Sequence, residues 1–179
     1  MPQRRDRQPQ RQRRGSFSLF PTIRRLAIGA DHGGFTLKAK LIRMLQASVE
    51  VADLGAHTKE PCDYPAIGYK VARAVADGQF DRGILLCKSG IGIAIVANKV
   101  SGVRAGVCHD LYDAKRSRLH NNANVLVLGA EKLSERRAWQ IIKAWLKTPF
   151  ESGTRHERRV RQISAIEQRI YRIQKTEVR

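Results

Sequence analysis

The 179-residue chain has no apolar run near the roughly 18 residues that a membrane span needs. Its first twenty residues carry arginines where a signal peptide would carry a hydrophobic stretch, so neither a secreted nor a membrane-spanning protein is expected. Cysteine is scarce. Cys62, Cys87 and Cys108 are an odd number, at spacings that fit neither a disulfide framework nor a paired-cysteine zinc site, and this points to a reducing cytoplasm. The histidines show no His-x-His or His-x-x-x-His spacing, so no metal site is expected. The full GxGxxG fingerprint and the Walker loop are also missing, which counts against dinucleotide or ATP binding; no cofactor is expected. Acidic residues are few, 16 against 34 Lys and Arg, for a net charge of +18.

That excess is not a nucleic-acid signature until its location is known. Six arginines against Asp6 give the first 22 residues +5, and residues 155–179 also hold +5, which leaves +8 for the middle. Residues 1–22 are rich in Arg, Gln and Pro without apolar periodicity, so the sequence predicts a solvated, disordered basic tail. A dispensable extension is the plain reading of such a tail, ahead of an RNA- or DNA-binding arm or a transit peptide. An apolar share of 42% can still fill one core, and a chain of this length has no need to divide it.

Between residues 25 and 129 short apolar runs alternate with helical patterns, the mark of a parallel sheet covered on both faces. Five strands are expected, at 26–30, 49–53, 83–87, 103–108 and 124–129, each bounded by Gly, Asp or Asn. Leu37, Leu41 and Leu45 repeat every four residues, as do Val71 and Val75, and these faces belong on the sheet. Ser134 is placed to cap a helix whose stripe runs through Ala138, Ile141, Ile142, Trp145 and Leu146. A last helix is expected from near Arg155. Its narrow stripe of Val160, Ile163, Ile166, Ile170 and Ile173 suits either its own sheet or a neighbouring subunit.

Open parallel sheets bind ligands beyond the carboxyl ends of their strands. The residues expected there are Asp31-His32-Gly33-Gly34, Asp63-Tyr64-Pro65, the run from Cys87 through Lys88, Ser89, Gly90 and Ile91 to Gly92, and Arg118-Leu119-His120-Asn121. Four such loops are candidates for one crevice. The glycines after Cys87 leave backbone N–H groups free to face an anion, a setting that favours a reactive thiolate. A small residue closing a strand is the plainer fate of a cysteine, and a structural hydrogen bond the plainer fate of His32 or His120.

These blocks together resemble the type B ribose-5-phosphate isomerases and the related galactose-6-phosphate isomerase subunits. The resemblance spans about residues 24–170. It rests on Gly29 through Gly34 with Leu37-Lys38, on Asp63-Tyr64-Pro65, on Gly83 through Cys87 and onward to Ala97-Asn98-Lys99 and Gly102-Val103-Arg104-Ala105, on His120-Asn121-Asn122-Ala123-Asn124, and on Arg155 through Val160. It implies a three-layer α/β/α Rossmann-like domain over residues 23–153, with a five-stranded parallel sheet. A basic helix over 154–179 would pack on a partner subunit in a homodimer, or in a tetramer built from it.

The implied activity is a metal-independent aldose–ketose isomerisation of a sugar phosphate, with ribose 5-phosphate and ribulose 5-phosphate as the leading pair. Cys87 matches the base that moves a proton between carbons 2 and 1. Ser89 and the N–H groups of Gly90, Ile91 and Gly92 match the groups that hold the enediolate, and Asp31 and His120 those that open the sugar ring. Asp63, Tyr64 and Asn121 match substrate contacts, while His32, Arg155 and Arg159 match the phosphate cations, some of them shared across a dimer. Two positions depart from the pattern. Lys88 stands where glycine is usual, and Glu131 where a phosphate-contacting arginine is usual. That keeps two alternatives in view, a six-carbon aldose phosphate and a non-catalytic nucleic-acid binder on the same scaffold.

Overall fold

The computed structural model describes Phe20 and residues 22–177, with side chains up to residue 173. Most of the basic segment expected as a tail thus lies outside the described residues. Phe20 does not behave as tail, since it is buried among Ile23, Leu26 and Trp145 of the core. An aromatic side chain of that size stabilises more by burial than by staying in water, so the packed body begins before residue 22.

The chain alternates strand and helix: β1 (Arg25–Ala30), α1 (Phe35–Leu45), β2 (Glu50–Asp53), α2 (Tyr64–Ala76), β3 (Arg82–Cys87), α3 (Ile91–Ala97), β4 (Ala105–Val107), α4 (Leu111–Leu119), β5 (Val125–Gly129), α5 (Glu135–Lys147) and α6 (Arg155–Glu177). All pairings are parallel, in the order β2-β1-β3-β5-β4. The five-stranded parallel sheet is the expected one, and its order, which the sequence left open, puts β2 and β4 at its edges.

Alternation along each strand divides the core into two layers. Leu26, Ile28, Ile84, Leu86, Leu126 and Leu128 face α1 and α5. Ala27, Leu85, Val125 and Val127 face α2 and α3, and Cys87 shares their side of the sheet. Helix α5 begins as the sequence predicts, with the Ser134 hydroxyl accepting from the Arg137 N–H at 3.3 Å.

Two elements differ from expectation. The fourth strand was expected over 103–108 and spans only three residues. Side-chain amides take over its hydrogen bonds: Asn124 Oδ1 accepts from Arg104 N–H and Asn98 Oδ1 from Ala105 N–H, each at 2.8 Å. Helix α4 has no apolar stripe to announce it. It forms because Asp110 caps it, accepting from Asp113 N–H at 2.9 Å, and because Ala114 and Arg118 bury its inner face.

Candidate active site in two halves

The carboxyl ends of β1 and β3 lie side by side, with Ala30 paired to Leu86. Asp31, directly after β1, is 6% exposed, and its Oδ1 accepts the Gly34 N–H at 3.0 Å. His32 is exposed, with its Nδ1 held at the Cys62 backbone, 3.2 Å from N and 3.1 Å from O. Buried Lys38 braces this region from below. Its ammonium donates to Asp53 Oδ1 at 2.5 Å, Gly55 O at 3.0 Å and Ala56 O at 2.6 Å, so all three of its protons are used. Gly55 O in turn accepts from Ala30 N–H at 2.7 Å, which ties Lys38 to the residue before Asp31.

Cys87 ends β3 and is 4% exposed on the apolar side of the sheet. Its sulfur is not wholly in apolar company, because the Gly90 N–H donates to Sγ at 3.1 Å. Gly90 reaches that position with φ +83°, a conformation that glycine adopts without strain, and a Cβ there would press on Gly129 N at 3.2 Å. The Ile91 N–H donates to Ser89 Oγ at 3.3 Å. Two of the three N–H groups expected to face a ligand are therefore taken up within the loop, that of Gly90 inward onto the thiol and that of Ile91 at the surface onto Ser89. Tyr64 closes the far wall, so near to Gly92 that a Cβ would sit 2.7 Å from its hydroxyl. Asp63 precedes α2, is exposed, and makes no side-chain capping bond.

The fourth expected loop is elsewhere. Helix α4 carries the chain from the end of β4 back toward the start of β5, so His120 and Asn121 lie at the amino end of the sheet. Six-residue β3 separates this end from Cys87 by about 17–20 Å at ~3.3 Å per residue. Within one chain the four loops do not converge. His120 instead stacks on His156 of α6, with ring centroids 3.8 Å apart and planes 1° from parallel. Arg116 Nη1 lies 2.8 Å from His120 Nε2, a contact that needs this nitrogen unprotonated. Desolvation pushes the His120 pKa below the ordinary histidine value, and the neighbouring His156 and Arg116 push the same way. Arg155 and Arg159, one turn apart at the start of α6, are both exposed beside this stack.

Arg118 holds the His120 loop in place, a role that no pattern of side chains announces. It is 4% exposed and donates to Thr148 O at 3.2 Å, Asn122 Oδ1 at 2.9 Å and Ala123 O at 2.6 Å. Burial, then the charges of Arg82 and Arg104, push its pKa down to about 10. Spacing also did not foresee that His120, Glu151 and His156 place metal-ligating atoms within 4.8 Å of one another. Parallel rings 3.8 Å apart cannot both direct an in-plane lone pair at one ion, and Arg116 occupies His120 Nε2. As they stand, these residues do not fit a metal ion.

A buried cysteine that accepts a backbone N–H lies beside a buried aspartate at the carboxyl ends of a doubly wound sheet, and comparison with known proteins sets the class: a sugar-phosphate isomerase on a Rossmann-like scaffold. Residues 26–163 match the family model described as Ribose/Galactose Isomerase, and the chain belongs to that family. It is 45% identical to Escherichia coli ribose-5-phosphate isomerase B over 148 residues, covering 82% of this chain and 99% of that one. It is 47% identical to D-erythrulose-4-phosphate isomerase of Pectobacterium atrosepticum over 130 residues, which are 72% and 86% of the two chains. Among solved structures, ribose-5-phosphate isomerase B of Clostridium thermocellum aligns with a TM-score of 0.79 at 46% identity, over 82% of this chain and 99% of that one.

Proposed function

We propose that this protein interconverts ribose 5-phosphate and ribulose 5-phosphate without a metal, with Cys87 as the base, in the cytoplasm. The Cys87 thiolate takes the proton from carbon 2 of the opened aldose, the C–H pair forms the double bond between carbons 1 and 2 while the carbonyl pair moves onto oxygen 1, the hydroxyl proton passes from oxygen 2 to oxygen 1, and the thiol returns its proton to carbon 1 as the carbonyl forms at carbon 2. The observation that carries this reading is the Gly90 N–H on Cys87 Sγ at 3.1 Å, a fixed donor aimed at the atom that must bear negative charge. Ser89 and Gly92 line the path of the enediolate oxygens. Asp31 and a neutral His120 serve the ring-opening proton transfers, and His32, Arg155 and Arg159 receive the phosphate, with Asp63, Tyr64 and Asn121 along the sugar. Three unpaired cysteines agree with a reducing compartment.

The two halves work together only if a second copy brings its amino-end residues to the first copy's Cys87, so the functional unit we propose is a homodimer. Its support is an apolar strip at the β4 edge, where Ile91 and Ile95 of α3 are more than half exposed beside Val107. A four-carbon substrate is the second reading, favoured by the resemblance to the Pectobacterium relative.

The test is turnover of four-, five- and six-carbon aldose phosphates in the presence of chelator, for the unaltered protein and for Cys87→Ala. Ribose 5-phosphate should be the best substrate. Cys87→Ala should keep its fold and lose at least about a hundredfold in kcat, the scale of a lost general base. Near-normal turnover by that variant would sink the assignment of the base.

A further inference from the structure

The two positions that depart from the family resemblance are in contact with each other. Lys88 directly follows Cys87, and its Nζ lies 3.6 Å from Glu131 Oε1, just after β5. The backbones are tied as well, since the Glu131 N–H donates to Lys88 O at 3.1 Å. The stem of Lys88 rises beside the turn that carries His32: a Cβ on Gly33 would lie 3.3 Å from Lys88 Cβ and 3.3 Å from Asp31 Oδ1. The stem thus stands at the mouth between β1 and β3, and its ammonium reaches to the end of β5, at the same carboxyl end of the sheet as Cys87.

We infer that Lys88 is a phosphate-binding residue of the Cys87 half, and that Glu131 is its counter-ion while the site is empty. The inference rests on the sugar-phosphate reading of that half. Asp31, Asp63 and Glu131 all bring negative charge to this end of the sheet, so a phosphate dianion arriving there needs a local cation. Lys88 supplies it from this subunit, independently of any arginine brought by a partner. The pair with Glu131 is loose, a single contact with the Lys88 side chain 74% exposed and that of Glu131 55%. An exposed pair of this kind is worth little, so it orients the ammonium without keeping it from a better anion. A lysine suits the task because its charge is a point that can swing from carboxylate to phosphate.

Binding to full-length Cys87→Ala protein tests this without requiring turnover. Calorimetric titration with ribitol 5-phosphate, and separately with inorganic phosphate, should show affinity about tenfold lower when Lys88→Met is added, the factor set by 1.4 kcal/mol. Lys88→Arg should stay within about threefold, the scale of an exposed ion pair. Adding Glu131→Gln to Lys88→Met should recover about threefold, because it removes the carboxylate left facing the anion. Unchanged affinity in Lys88→Met, or no recovery with Glu131→Gln, would overturn the inference. A failure of Cys87 as base leaves these titrations unaffected, so the two readings fail separately.

Discussion

The two ends of the parallel sheet are built by different means. At the carboxyl end, backbone fixes the chemistry: the Gly90 N–H meets the Cys87 sulfur, the Gly34 N–H meets Asp31, and Tyr64 is packed against the backbone at Gly92. At the amino end, side chains do the fixing: Arg118 locks the loop, His120 leans on His156, and Arg155 and Arg159 project from a helix start. Backbone donors hold a proton-transfer site rigidly, whereas long cationic side chains adapt to an anion that arrives and leaves. If the proposed function holds, neither end is complete alone, because the span of β3 between them exceeds the length of an opened pentose phosphate.

The strongest way to break this comparison is to damage one end per chain. Cys87→Ala and His120→Ala should each be nearly inactive as pure proteins. Mixed, dissociated and reassembled, they should regain about a quarter of normal turnover, because half of the two-fold dimers are hybrids and each hybrid has one undamaged pair of halves. Turnover is measured before and after mixing. A mixture that stays inactive, with hybrids present, would mean that each site is built within one chain.

The sheet, the helices on both its faces and the Ser134 cap were legible in the sequence because they rest on local periodicity and capping chemistry. So were the residues at the ends of β1 and β3, which are set by where a strand stops. What stayed hidden depends on which way a connection runs. The sequence groups His120 with Asp31 and Cys87 because α4 has no apolar stripe, and without that helix the chain is not seen returning to the far end of the sheet. Arg118 and Lys38 were hidden for another reason: their acceptors are mostly backbone carbonyls, which every residue has, so no side-chain pattern marks them. The Lys88 contact with Glu131 joins residues 43 positions apart and needs the pairing of β3 with β5 to be seen.

A smaller effect should sharpen the contrast through pH. His120 is held below the ordinary histidine value of 6.5 by desolvation first, and by the charges of His156 and Arg116. The unfolded chain therefore takes up this proton more readily than the folded one. Stability linked to His120 is present above pH 6.5 and is lost as pH falls through the depressed folded value. The acidic limb of kcat/KM, which reports the free enzyme, should likewise lie below 6.5. Arg116→Met removes a cation and the donor at Nε2, so the limb should move up toward 6.5 while turnover at pH 8 stays near normal. A limb that does not move, or moves down, would detach His120 from the rate.

The smallest expected effect falls on the carboxyl end, at Glu131. A carboxylate there adds repulsion toward a bound phosphate, about 1 kcal/mol at 4 Å in water, but Lys88 already offsets much of it from 3.6 Å away. Glu131→Arg removes the negative charge and adds a positive one, at the cost of setting two cations side by side when the site is empty. The gain should therefore be modest. The Michaelis constant for ribose 5-phosphate should fall about threefold, the scale of a single exposed ion pair. The turnover number should hardly change, because the phosphate is remote from the proton transfer and such binding is uniform between ground and transition states. At 1 M salt, where charges are screened beyond about 3 Å, the improvement should vanish. A Michaelis constant that is unchanged at low salt, or that rises, would mean that Glu131 does not face the phosphate and that the amino-end cations of a partner carry the anion without help from this end.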